Sequence, residues 1–129
     1  MRAILAINNK GYIGLKGGLP WRCSKDLEHF KKETMGGKLL VGHRTAKHLP
    51  KLPGRELMVF DKNETTIDYT SADWCIGGKA TYEKFCHLFT ELHVSIINDD
   101  TIGDVMGPDL RRLNPDCVIF EYHFEKDVL

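Results

Sequence analysis

The apolar positions of this chain fall into short continuous runs, each closed by glycine or proline. "AILAIN" (3–8) is one such run and predicts a buried central strand. A loop with Gly11, Gly14, Gly17, Gly18 and Pro20 follows. So dense a set of glycines makes the loop mobile or lets backbone approach something bound. Ser24 is a good N-cap for a helix over roughly 25–34. "GGKLLVGHRT" (36–45) reads as a glycine turn, a buried strand and Gly42, with a short helix over 44–49 ending before Pro50. "LPGRELMVFD" (52–61) is a turn and a buried strand, and "DWCIGGKATYEKF" (73–85) is strand, glycine pair and helix. "ELHVSIIN" (91–98) is a strand, and 103–115 is turn-rich. "CVIFEYHFEKD" (117–127) alternates in places and predicts an antiparallel strand at or near a sheet edge.

Strands alternate with helices, which predicts an α/β domain with a largely parallel sheet. No repeat, low-complexity segment or linker interrupts the chain, so residues 1–129 read as one domain. The 25–34 helix carries an anomaly. At about 100° per residue, with Asp26 at zero, Phe30 falls near 40°, Thr34 near 80° and Leu27 near 100°. Glu28 and Lys32 lie on the opposite side. Asp26 therefore shares the apolar arc. The helix dipole accounts for an acid in the first turn but not for an acid on that arc.

Composition narrows the function classes. Apolar residues make up 42% and charged residues 28%, an ordinary globular balance. Eighteen acids offset eighteen bases, so no global field draws nucleic acid or anionic lipid. No apolar run approaches the roughly 18 residues of a membrane span, and "MRAILAINN" has no small-residue cleavage site. The expectation is a cytoplasmic protein without a nucleic-acid or membrane partner. Cys23, Cys75, Cys86 and Cys117 form no C-x-x-C pair and the six histidines show no ligand spacing, so no metal site is expected.

Strand, glycine and helix recur in "LLVGHRTAKHL" and "WCIGGKATYEKF". Unpaired backbone N–H groups at helix starts suit phosphate. His43, Arg44 and Thr45 add donors in the first turn, Lys79 and Thr81 in the second. Two such turns on neighbouring parallel strands would hold two ends of a dinucleotide. Plain βα turns are the simpler alternative. Neither the Rossmann fingerprint nor the P-loop is present.

"NNKGYIGLKGGLPWRCSKDLEHFKKET" resembles the signature of the dihydrofolate reductase family, I-G-x-x-x-x-L-P-W followed by D-L-x-x-F-K-x-x-T. "VGHRT", "LPGR", "IGGKATYEKF" and "GDVMGPD" are similar to its later blocks, in the family's order. The resemblance implies a mixed, mostly parallel sheet of about seven strands, about three helices and an antiparallel C-terminal strand. It implies NADPH-dependent reduction of 7,8-dihydrofolate to tetrahydrofolate, and binding of antifolates such as methotrexate or trimethoprim. By position, Asp26 matches the pterin-binding acid, Trp21 the Trp that holds a water near it, and Ser95 the hydroxyl residue that hydrogen-bonds the acid. Ile4, Ala6, Leu27, Phe30, Leu49, Leu52 and Ile76 match substrate walls, and Arg55 the Arg that grips the substrate carboxylate. Ala6, Ile13, Gly14, Gly17, Gly18 and Leu19 match the nicotinamide side. Gly42, His43, Arg44, Thr45, Asp61, Lys62, Gly77, Gly78, Lys79, Ala80, Thr81 and Tyr82 match the remaining cofactor contacts. The resemblance also implies a cis peptide at Gly77-Gly78 and a role for Gly103-Asp104 in holding the 11–20 loop closed.

The chain departs from the family pattern in three places. Residues 62–72 are short for the family's edge strand and helix. Extended, they span roughly 36 Å, enough for a bare crossing. The helix is expected to be absent and the edge strand lost or rudimentary. Asp61 stands where the family often has Ser or Arg near the 2′-phosphate, so NADH is an alternative to NADPH. The C-terminal region looks trimmed, with the hairpin strand before the last one cut away. That leaves an edge a partner chain could cover, although a monomer is expected. Two other functions share these features: reduction of a riboflavin-precursor pyrimidine, and non-catalytic folate or nucleotide binding.

Overall fold

The computed structural model describes residues 1–128. Its elements follow the apolar runs. They are β1 (Arg2–Asn8), β2 (Tyr12–Gly14), α1 (Ser24–Thr34), β3 (Lys38–Gly42), α2 (His43–Ala46), β4 (Glu56–Phe60), β5 (Trp74–Cys75), α3 (Lys79–Phe85), β6 (Glu91–Asn98), β7 (Val105–Met106) and β8 (Val118–Glu125). Six strands form one sheet in the order β4-β3-β5-β1-β6-β8, and every neighbouring pair is parallel. β2 and β7 form a separate antiparallel pair, within segments the apolar pattern reads as loop and turn.

Strand alternation sorts the core into two layers. Ala3, Leu5, Leu40, Cys75 and Leu92 pack with Tyr82, Phe85 and Phe89 on the α3 face. Their neighbours Ile4, Leu39 and Trp74 turn to the opposite face, where Phe30 of α1 covers them. A third cluster, Trp21, Cys23 and Ile97 with Ala6 and Phe124, continues the α1 face toward the sheet edge. Burial pushes the Cys75 thiol up to about 12, so it is an inert core side chain.

The short crossing has the expected form. Between β4 and β5 the chain makes only a 3-10 turn, Tyr69–Ser71, and among the described residues no strand lies outside β4. Two expectations are corrected. β8 runs parallel to β6, not antiparallel, from Glu91↔Val118 to Asn98↔Glu125. A tight hairpin would have reversed it, but residues 99–117 are long enough to cross over, as parallel pairing requires. Ser24 is not the N-cap of α1. Cys23 holds that position without a side-chain cap, and Ser24 is the first helical residue.

The missing cap is supplied by the far end of the chain. The Asp127 carboxylate accepts from Ser24 N at 2.9 Å and from Ser24 Oγ at 2.7 Å. Cys23 Sγ donates to Glu125 O, and Asp127 N to Arg22 O at 2.7 Å. These bonds hold the Asp127 carboxyl below its usual range, the Ser24 amide contributing most. A depressed carboxylate pKa adds stability that is present above the unfolded value and lost as pH falls through the folded one. Asp127→Ala should therefore lower the urea midpoint at neutral pH. It should match wild type once both are below the carboxylate range. Paired urea titrations at the two pH values check this.

Candidate active site

The two glycine turns lie at the carboxyl ends of β3 and β5, where open α/β sheets bind ligands. Asp26, in the first turn of α1, is 7% exposed. Ser95 lies beneath it on β6 at 1% exposure, in register with Ala6 of β1. Burial lifts the Asp26 pKa, while the Ser95 hydroxyl and then His29 pull it back. Trp21 is buried, and its indole N–H has no protein acceptor.

From Asp26 an apolar wall runs along the α1 face. Phe30, Leu52 and Ile76 pack on Ile4, Leu39 and Trp74. Leu49 is half-buried, and Leu27 is 56% exposed beside Asp26. At the far end the Arg55 guanidinium lies 6.0 Å from the centre of the Phe30 ring. Its Nε donates to Pro53 O at 3.2 Å, and its Nη1 to Thr34 Oγ1 at 3.5 Å. A carboxylate and a guanidinium thus flank one apolar strip.

The two strand–glycine–helix turns touch. Gly42 N donates to Gly77 O at 2.7 Å. A Cβ on Gly42 would stand 2.6 Å from Thr81 Oγ1, and one on Gly78 would stand 2.8 Å from Thr45 Oγ1. The Gly77-Gly78 peptide is cis, as the family pattern implies. Tyr82 is buried beneath this junction and donates to Ile4 O at 2.6 Å. His43, Arg44, Lys79 and Ala80 are exposed around the turns, with Asp61 and Lys62 exposed after β4.

The 11–20 loop is tied down on two sides. Gly17 adopts φ 81°, and a Cβ there would stand 2.7 Å from the His48 ring. Asp104 N donates to Gly14 O at 2.9 Å, and the Asp104 carboxylate accepts from Lys16 N at 3.0 Å. Ile13 and Gly18 are in this loop, and Leu19 at its tip is exposed.

Three contributors are absent from the sequence reading. His29 is i+3 from Asp26, a spacing that places them together on a helix. Its ring lies 4.2 Å from that of Tyr122. Asn8 is buried at the end of β1, where its amide donates to Asp99 and Thr101 and its oxygen accepts from Lys10 and Tyr12 backbone. His93 is buried between Glu91 and Tyr122, at 2.8 and 2.9 Å. These last two depend on contacts across strands that no local pattern displays. No group of three or more potential metal ligands occurs among the described residues.

Comparison with known proteins points to one family. The family model described as "Dihydrofolate reductase" matches residues 1–126. A dihydrofolate reductase of Mycobacterium leprae is 32% identical, over 83% of this chain and 79% of its own. The type 9 dihydrofolate reductase of Escherichia coli is 30% identical, over 81% of this chain and 73% of its own. Among solved structures, the dihydrofolate reductase of Enterococcus faecalis complexed with NADP(H) and RAB-propyl superposes with a TM-score of 0.74 at 23% identity, over 85% of this chain and 77% of that one.

The loop clamp has a direct steric test. A Cβ on Gly103 would collide with the Gly14 carbonyl oxygen and sit 3.0 Å from Tyr12 Cβ. Backbone cannot rotate away, so Gly103→Ala should cost about 1–3 kcal/mol. Gly18→Ala, whose Cβ meets nothing nearer than 3.9 Å, should be close to neutral. Thermal unfolding of both variants checks the contrast.

Proposed function

This chain belongs to the dihydrofolate reductase family, and on that premise we propose that it reduces 7,8-dihydrofolate to tetrahydrofolate with NADPH, using Asp26 to orient the pterin. The observation that carries the reading is one buried acid on an apolar helix face, with Ser95 and Trp21 beside it and Arg55 at the other end of the strip. A pteridine with a benzoyl-glutamate tail needs that order of groups: acceptor, apolar wall, cation. The Asp26 carboxylate accepts two hydrogen bonds, from the pterin 2-amino group and N3, and so fixes the ring. Ile4, Ala6, Leu27, Phe30, Leu49, Leu52 and Ile76 wall the rings. Arg55 receives the tail carboxylate, for which a guanidinium fork is well shaped.

The donor set around the two glycine turns fits a polyanionic cofactor. Arg44, Lys62 and Lys79 supply charge, and His43 and Thr45 supply further donors. NADPH, when bound, supplies the hydride received at C6 of the pterin. The proton for N5 comes through water held by the Trp21 indole N–H, a reading supported by that N–H having no protein acceptor. Gly14, Gly17, Gly18 and Leu19 close over the nicotinamide side, with Asp104 holding the loop. Among the described residues no helix is long and apolar enough to cross a membrane.

Because burial raises the Asp26 pKa, the hydride step should slow as pH rises through that raised value. Asp26→Asn should lower kcat/KM for dihydrofolate about 10²- to 10⁴-fold and flatten the pH profile. Stability should move the other way. A raised folded pKa means the native state binds the proton more tightly, so stability declines as pH rises from the ordinary carboxylate range through the raised value. Asp26→Asn escapes this loss and should be at least as stable as wild type at neutral pH. NADPH oxidation assays and thermal melts on the same samples check both. A wild type that binds methotrexate but turns over nothing would overturn the catalytic reading.

The cofactor choice has its own test. Arg44 and Lys62 outweigh Asp61 in charge at the end of β3 and β4, favouring a 2′-phosphate. The ratio of kcat/KM for NADPH over NADH should exceed one and fall in Arg44→Ala. Equal values in wild type would remove the preference.

A further inference from the structure

The chemistry assigned to the site uses one buried carboxylate, Asp26, and the fold holds a second. Asp99, just past β6, is 3% exposed. Four donors meet its side chain. Oδ2 accepts from Asn8 Nδ2 and from Thr101 N, each at 3.1 Å. Oδ1 accepts from Thr101 Oγ1 at 3.0 Å and from Lys126 Nζ at 3.1 Å. Burial pushes the Asp99 carboxyl up, but the Asn8 amide, Lys126 and Thr101 outweigh it and hold the group below its usual range. Asp99 is therefore an anion at neutral pH.

These donors come from three segments. Asn8 is the root of the 11–20 loop. Its Oδ1 accepts from Lys10 N at 3.1 Å and from Tyr12 N at 2.9 Å, and so shapes the turn into β2. Thr101 leads to Asp104, which grips the same loop at Gly14 and Lys16. Lys126 adjoins Asp127, which caps the helix of Asp26. Asn9 N also donates to the Asp99 carbonyl at 3.1 Å. The loop, its clamp and the helix cap thus converge on one residue. Every side-chain partner donates, so only a group that accepts at both oxygens satisfies all of them. A fully satisfied buried network of this kind favours one arrangement of the segments it joins.

We propose that Asp99 is a positioning residue for the cofactor, its carboxylate fixing the 11–20 loop relative to the helix of Asp26 so that the loop is preset to close over the nicotinamide side. Asp99 acts through Asn8, Thr101 and Lys126. Order imposed before the ligand arrives lowers the cost of binding it. The proposal rests on the NADPH reading of the loop.

Asp99→Asn cuts the junction with little change in volume, because its amide must turn an NH2 group onto two donors. Hydrogen exchange of the ligand-free protein and NADPH titration test the result together. The amides of Tyr12, Lys16 and Asp104 should exchange about tenfold faster in the variant, and those of Ser24 and Asp127 should follow. The amides of Asp73 and Ile76, bonded to Lys38 O and Leu40 O of β3, should keep wild-type rates. The Kd for NADPH should rise about tenfold. Lys126→Met should move both readouts the same way, and Lys126→Arg should restore them. The Lys126 side chain is 52% exposed, so this pair decides the matter if Asp99→Asn fails to fold. Loop amides at wild-type rates overturn the proposal. So does equal acceleration at Asp73 and Ile76, because the carboxylate then stabilises the whole sheet without setting the loop. So does an unchanged NADPH Kd in a variant whose loop amides are released. A wild type that binds no NADPH is a different failure: it removes the cofactor reading, while the exchange rates still decide whether Asp99 sets the loop.

Discussion

Burying the Asp26 carboxylate between α1 and the sheet costs free energy whenever the group is ionised, and much of the surrounding structure bears on that cost. Ser95 offers a hydroxyl from the strand below, and His29 offers a cation-capable ring one helical turn along. Trp21, just before the helix, is itself buried with Cys23 and Ile97. Ser95 can reach the acid only because β6 runs parallel to β1 in the register Ala6↔Ser95, with Asp26's helix on that face. A slip of one residue would turn Ser95 to the other layer and bring an apolar neighbour beneath the carboxylate.

Holding Asp26 in place then becomes a problem of where α1 begins. No residue before the helix caps it, and Asp127 and Glu125, about a hundred places away, take over that task. The glycine loop before α1 is held by a different distant segment, through Gly103 and Asp104, and by Gly17 against His48. Asn8 joins the ends of β1 and β6 to the same region. Both halves of "GGLPWRCSKDLEHF" therefore owe their position to residues some eighty or more places away, an arrangement that ties the site to the integrity of the whole sheet.

The short crossing between β4 and β5 falls away from these supports. The crossing between β4 and β5 needs only backbone reach, and a 3-10 turn suffices. The last strand fills the slot beside β6 by crossing over, and its Tyr122 and Phe124 meet the ring of His29 on α1. Aromatic cover over the acid's neighbour is thereby kept.

Local order was legible from the residues: the strand runs, the α1 and α3 helices, the two glycine turns and the place of Asp26 on an apolar arc all follow from short-range periodicity and backbone chemistry. The other residues of the strip, Ile4, Leu49, Leu52, Ile76 and Arg55, came from the family resemblance and not from periodicity. The direction of β8, the β2–β7 pair, the cap from Asp127 and the contacts of Asn8 with Asp99 and of His93 with Tyr122 were not legible. Each depends on which segments meet in space. Alternation in "VIFEYHFE" is the same whether the strand runs parallel or antiparallel, and Ser24 looks like a cap until a carboxylate from the other end of the chain arrives to accept from it. Sequence determined what each face of each element carries, because that depends on near neighbours. Only the tertiary structure decided which faces meet, because long-range pairing is set by the closure of loops and the burial of whole layers together.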